Sequence, residues 1–134
     1  MSRYVIYGIP NFFIQEFSMK YDVYGIYLIN FKNNTGGELS GNHYAVVLTN
    51  IRKECKTFLV APITSKKPGK KYRNGITINC LKYQQNPTND KAFIMVDKIR
   101  EVSKFRVYGD KQYDLDSDDI AKLKESMAKV LNLQ

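Results

Sequence analysis

The spacing of the apolar runs constrains this chain more than anything else in its sequence. YGIYLINF (24–31), HYAVVLTN (43–50), TFLVAPI (57–63), ITINCL (76–81) and KAFIMV (91–96) are rich in β-branched and aromatic residues. Between them, KNNTGGELSGN, RKEC, SKKPGKKYRNG and QQNPTND collect turn-forming and charged residues. Short strands punctuated in this way build a barrel or a sandwich. HYAVVLTN reads as buried on both faces towards its centre. Pro62 predicts that the third strand ends or bends there. IREVSKFRV (99–107) keeps alternating apolar positions and continues the sheet.

The two ends differ from this middle. Asp116 can cap a helix, with Leu115 before it and Ile120 placed for a hydrophobic staple. Asp118 and Asp119 put negative charge near the positive helix end. Ile120, Leu123, Met127, Val130 and Leu131 form an apolar stripe, predicting a helix over about 117–131 that covers one face of the sheet. Residues 1–22 look like an appendage, where Pro10 can open a short helix with Phe13, Phe17 and Tyr21 on one face. That stripe reads first as a docking face against the domain and second as an arm for a partner. All 134 residues fit one domain, and a hydrophobic share of 43% suffices for its core.

The formal net charge of +8 favours a polyanionic partner about as much as it favours a merely basic soluble protein. One histidine excludes a multi-histidine metal site, and Cys55 and Cys80 lack metal-ligand spacing and a disulfide framework. No metal or other cofactor is expected. The start is broken by Gly8 and Pro10 and lacks a cleavage pattern, and no apolar run approaches the roughly 20 residues that span a bilayer. The expectation is a cytoplasmic protein without membrane contact. Phosphate-binding and dinucleotide-binding glycine motifs do not occur.

Five features could carry chemistry. His43 opens a strand after a Gly-rich loop, and a histidine can exchange protons near neutral pH; a strand-end structural hydrogen bond is the commoner use. Thr64 and Ser65 end a buried strand, where two hydroxyls can meet a phosphate or simply form a turn. Lys66, Lys67, Lys70, Lys71 and Arg73 surround Tyr72 in a basic loop that suits single-stranded nucleic acid, or solvent. Arg100 can grip a phosphate with its fork of donors, or pair with Asp97 or Glu101. Glu38 is a candidate gate or base contact in the Gly-rich loop, and equally an ordinary loop carboxylate.

Taken in order, these pieces resemble the MazF/PemK family of toxin endoribonucleases. Four segments carry the likeness: YGIYLINF, GGELSGNHYAVVLTN, VAPITSK and VDKIREVSKFRV, followed by the acidic-capped helix. The resemblance runs from about Tyr24 to Leu131. It implies an SH3-like barrel of the MazF/PemK/CcdB type over 23–134, with a C-terminal helix and usually as a homodimer. It implies metal-independent, sequence-specific cleavage of single-stranded RNA by attack of a ribose 2′-OH, and neutralisation by an antitoxin with an acidic, partly disordered segment. Thr64 then matches the catalytic threonine and Ser65 its hydroxyl neighbour. Glu38 and Gly41 match the loop over the site, and Arg100 the arginine after a Gln-Ile pair, with Lys98 in place of Gln.

One departure bears on catalysis. The family's Arg-Pro pair is His43-Tyr44 here. Three readings are open: His43 substitutes for the arginine, catalysis moves to Arg100 or Lys66, or the domain binds RNA without cutting it. The first is favoured because the hydroxyl pair and the basic surroundings remain. The alternative function is a non-catalytic RNA-binding or gyrase-poison-like relative on the same fold.

Overall fold

A computed structural model describes residues 21–49 and 55–133. The proposed N-terminal helix around Pro10 and most of the RKEC turn lie outside the described residues. Tyr21 alone of the N-terminal stripe is described, and its ring packs edge-on against Tyr27 and Phe58, each at 5.3 Å.

Seven antiparallel strands form one sheet: β1 Gly25–Asn30, β2 Asn42–Val47, β3 Thr57–Ser65, β4 Gly75–Asn79, β5 Lys91–Met95, β6 Arg100–Ser103 and β7 Val107–Asp114. Their order is β4-β5-β3-β2-β1-β7, with β6 also on β3. Strands β6 and β7 flank β3-β2-β1 on opposite sides and are joined by a three-residue 3-10 turn, Lys104–Arg106. The SH3-like ring is thus completed through the chain, and no ladder among the described residues closes it. Ser103 caps that turn by accepting from the Phe105 N–H at 3.2 Å.

Strand alternation divides the apolar residues between two cores. Inside the ring lie Tyr27, Ile29, Phe31, Ala45, Val47, Phe58, Val60 and Val102. The opposite face buries Ile26, Val46, Ala61, Ile63, Ile78, Ile94 and Val96 beneath helix α1, Ser117–Val130. Leu115 and Leu123 are buried there, with Ile120, Met127 and Val130 against them. Leu131 departs from the expected stripe: it is the helix C-cap, 46% exposed, because the chain leaves the helical line at Asn132, whose φ is 57°.

Pro62 does not end its strand. Residues Thr57–Val60 pair with β6, Val60–Pro62 with β2, and Ile63–Ser65 with β5. The β2–β3 ladder stops at Ala45 opposite Pro62. Proline has no N–H to continue it, so β3 leaves β2 and pairs onward with β5. Tyr44 and His43 are therefore left beside Ile63 and Thr64 without a ladder between them.

Asp119 is 2% exposed, although its place in the first helical turn suggested only a favourable surface charge. It accepts from the Tyr83 hydroxyl and from Lys82 Nζ, the latter at 3.1 Å. Lys82 also pairs with Asp116 at 2.9 Å, and Asp116 caps the helix by accepting from the Asp119 N–H at 2.9 Å. A fully partnered polar knot of this kind fixes one arrangement of helix on sheet. Lys82, then the Asp119 N–H, hold the Asp116 carboxyl below its ordinary range. A depressed folded-state pKa stabilises above the unfolded value, and the benefit disappears as pH falls through the folded one. The melting temperature should therefore fall as pH drops below about 4. Asp116→Asn should flatten that acid limb in a thermal melt series; an unchanged limb would assign it to other carboxylates.

Candidate active site

The parting of β2 from β3 opens a cleft of about 550 Å³. His43 and Tyr44 line one side, and Thr64 and Ser65 lie at the end of β3. Lys67 and Lys91 add positive charge, and none of the lining residues is a carboxylate. A cleft with lysines and no opposing acid favours an anionic ligand.

His43 is half-buried, and its ring meets Phe31 edge-on at 6.1 Å. Its Nε2 lies 2.9 Å from the Ser40 carbonyl oxygen. A carbonyl only accepts, so Nε2 carries the hydrogen and Nδ1 holds the lone pair of the neutral ring. The structural hydrogen bond and a chemical role are thus compatible: one nitrogen anchors the loop, and the other is left to take a proton. The Ser65 hydroxyl accepts from Asn89 Nδ2 at 2.9 Å and keeps its own hydrogen to donate.

The basic loop is pinned by its aromatic. The Tyr72 hydroxyl donates to the Ser65 carbonyl at 3.1 Å and accepts from the Lys67 N–H at 2.8 Å. Lys66 reaches the Thr77 hydroxyl at 2.9 Å and, with Lys67 and Lys91, lines a neighbouring groove that continues past Thr88 and Asn89. Lys70 lies over the Tyr72 ring at 5.6 Å, and Lys71 and Arg73 are exposed. These last three do not line the cleft.

Glu38 and Arg100 are brought to a different pocket, together with Lys98. The Glu38 carboxylate accepts from the Thr35 N–H at 3.0 Å, so it orders its own loop. Gly41 sits at φ 84°, a left-handed turn that suits glycine, and its carbonyl accepts from the Phe31 N–H at 2.8 Å. Arg100 packs over Phe31 at 5.4 Å, on the ring that His43 also touches. The buried Phe31 ring is thus packed by His43 of one pocket and by Arg100 of the other.

The sequence reading missed the far wall of the cleft: Gln84, Thr88 and Asn89 from the loop before β5, and Gln112 and Tyr113 from β7. The amide-rich QQNPTND carries only turn chemistry in its sequence, and β7 beyond Val107 carries no strand signal. Its polar run, YGDKQYD, has no apolar alternation to reveal it.

An SH3-like barrel with one covering helix and a basic, acid-free cleft at a strand parting is the class that fold and site define. The model of the PemK-like, MazF-like toxins of type II toxin–antitoxin systems matches residues 22–131, and the chain belongs to that family. No protein of curated function matches it by sequence. Among solved structures it is similar to MazF of Deinococcus radiodurans, with a TM-score of 0.66 at 17% identity over 85% of this chain and 98% of that one. It is also similar to the Mycobacterium tuberculosis toxin MazF-mt6, with a TM-score of 0.61 at 17% identity over 82% and 98%. A mycobacterial endoribonuclease in complex with its cognate antitoxin gives a TM-score of 0.61 at 12% identity over 84% and 95%.

Among the described residues, no helix is long and apolar enough to cross a membrane, and no group of three or more His, Cys, Asp or Glu residues is placed to hold a metal ion.

Proposed function

We propose that this chain is an endoribonuclease toxin that cuts single-stranded RNA at short sequences without a metal ion. The observation that carries this reading is the cleft where β2 leaves β3, which gathers His43, Thr64, Ser65 and two lysines and includes no carboxylate. A ribose 2′-OH attacks the adjacent phosphorus while its proton passes to Nδ1 of His43. The bond from phosphorus to the 5′ oxygen breaks, and that oxygen takes a proton from water as it leaves, giving a hydroxyl. The products are a 2′,3′-cyclic phosphate and a 5′-OH end. Thr64, Ser65 and Lys67 stabilise the charge that builds on phosphorus oxygens. DNA lacks the attacking hydroxyl and is spared. Arg100 and Glu38 contact the strand beyond Phe31.

The same reading includes an antitoxin partner, a homodimer and a cytoplasmic setting. The antitoxin complex of a fold relative supports the first, and the net charge of +8 suits an acidic partner segment. The test is incubation with mixed RNA in EDTA, with the 5′ ends of the products mapped. Cuts leaving 5′-OH ends, and lost in Thr64→Ala, are expected. RNA that stays intact over a wide protein range while still binding would reduce the function to gripping.

Salt should weaken the grip steeply. If Lys66, Lys67, Lys70 and Lys71 each neutralise one phosphate, log K should fall against log salt with a slope of about −3, or roughly fiftyfold between 50 and 200 mM. Filter binding across that range measures it, and a flat response would remove the basic loop from the interface.

A further inference from the structure

The wall of the cleft facing His43 has no part in the reaction just described, yet it is built with more care than a solvated edge requires. Tyr83 and Tyr113 stack at 4.7 Å with an interplanar angle of 12°. Tyr83 is held from behind, its hydroxyl donating to the buried Asp119 and accepting from the Asp116 N–H at 3.0 Å. Tyr113, which lines the cleft, is thus backed by a ring that is itself hydrogen-bonded to the helix start. Burial, first among the causes, pushes its hydroxyl up to about 12, so it remains a neutral phenol under physiological conditions.

An exposed glutamine stands on each side of this stack. Gln84 follows Tyr83 directly, its N–H bonded to the Cys80 carbonyl at 2.9 Å and its side chain placed against the Tyr113 hydroxyl. Gln112 precedes Tyr113 on an irregularity of β7. Between the pairs Ile26–Tyr113 and Leu28–Tyr108, β7 has four residues, Gly109 to Gln112, where β1 has only Tyr27. Bulges beside sites re-aim side chains. This one is clamped by Lys111, which bridges Asp22 at 2.8 Å and Asp114 at 2.9 Å. Gln112 donates from Nε2 to the Asp110 carbonyl at 3.1 Å, and no described protein group takes its Oε1.

We infer that Gln84 and Gln112, set around the Tyr83–Tyr113 stack, read base edges of the bound strand and determine which RNA sequence is accepted. The inference rests on the reading of the cleft as an RNA site. Lysines that meet phosphates hold any sequence alike. A carboxamide presents a donor and an acceptor in one plane, which matches the paired donors and acceptors of a base edge. A rigid aromatic ring beside it supplies the stacking surface on which an unpaired base rests. The two glutamines are the amides that flank such a ring here, and both project from backbone tied to the fold on either side.

The experiment uses the full chain and its Gln84→Ala, Gln112→Ala and double variants. Both side chains are exposed, so folding should persist, and a thermal melt verifies it. Each protein is incubated with a random-sequence RNA pool in EDTA, and both the retained RNA and the 5′-OH ends are sequenced. The wild type should select a short motif, and the double variant should flatten the preference at one position of it by roughly tenfold. An unchanged motif, or a uniform loss of binding at every sequence, overturns the inference. If the wild type retains a motif without cutting, the cleavage reading fails and the retained motif still decides the role of the glutamines. Retention without any motif overturns the inference while leaving RNA binding, and no retention overturns both.

Discussion

His43→Ala should lower the rate of RNA cleavage by roughly 10²- to 10⁴-fold, the usual contribution of a positioned proton acceptor. RNA binding should change far less, because the lysines that meet phosphates are untouched. The geometry behind this is specific. The Nε2–H of His43 is committed to the Ser40 carbonyl at 2.9 Å, which leaves Nδ1 as the nitrogen that takes the proton. His43→Arg separates proton transfer from charge. Arginine supplies charge and donors but keeps its protons. If His43 moves a proton, the arginine variant should lose cleavage nearly as fully as the alanine variant. Cleavage restored by arginine would show that position 43 works through charge alone. Cleavage that persists in His43→Ala would move the proton acceptor elsewhere, with Arg100 already displaced to the neighbouring pocket and Lys66 engaged by Thr77.

Most of the strand framework was legible because each central strand combines β-branched residues with flanking turn chemistry. The C-terminal helix was legible for a similar reason, since Asp116 and the Ile120–Leu123–Met127 stripe are local signals. The cleft was half legible. Thr64 and Ser65 announce themselves by following a buried strand, and His43 by being unique. What joins them is a failure of pairing at Pro62, which depends on where β2 happens to align with β3. Register is a property of two distant segments, and proline in one of them does not reveal its partner. The same limit hid Asp119. Its position in the first helical turn explains its charge, but its burial depends on Tyr83 and Lys82, more than thirty residues earlier. Arg100 was marked as a candidate phosphate grip and Glu38 as a candidate gate or base contact, but both line another pocket with Lys98, which no signal local to either segment reveals.

Gly75→Ala should destabilise the protein by about 3 kcal/mol or more, at the upper end of what overpacking costs. Gly75 opens β4 opposite Met95 of β5. A Cβ there would lie 1.9 Å from the Ile94 carbonyl oxygen and 2.7 Å from two ring carbons of Phe93. The nearest atom is backbone, so no rotamer change relieves the contact, and β4 must move away from β5. The approach is already tight on the other side, where the Asn74 carbonyl accepts from the Val96 and Asp97 N–H groups at 3.0 and 3.2 Å. For a domain of this size the loss corresponds to a fall in melting temperature of roughly 10 °C. Gly37→Ala is the matched comparison, since nothing lies within 4 Å of its added Cβ and its backbone carries no positive φ. It should melt within about a degree of the wild type, a change too small for any of the large mechanisms. Equal melting temperatures for the two variants would mean that β4 and β5 separate without resistance. Because β5 also pairs with Ile63–Ser65, separation there loosens the strand that presents Thr64. Gly75→Ala should therefore lose cleavage together with stability, whereas His43→Ala loses cleavage with a much smaller fall in melting temperature, and that contrast divides the residues that build the cleft from those that react in it.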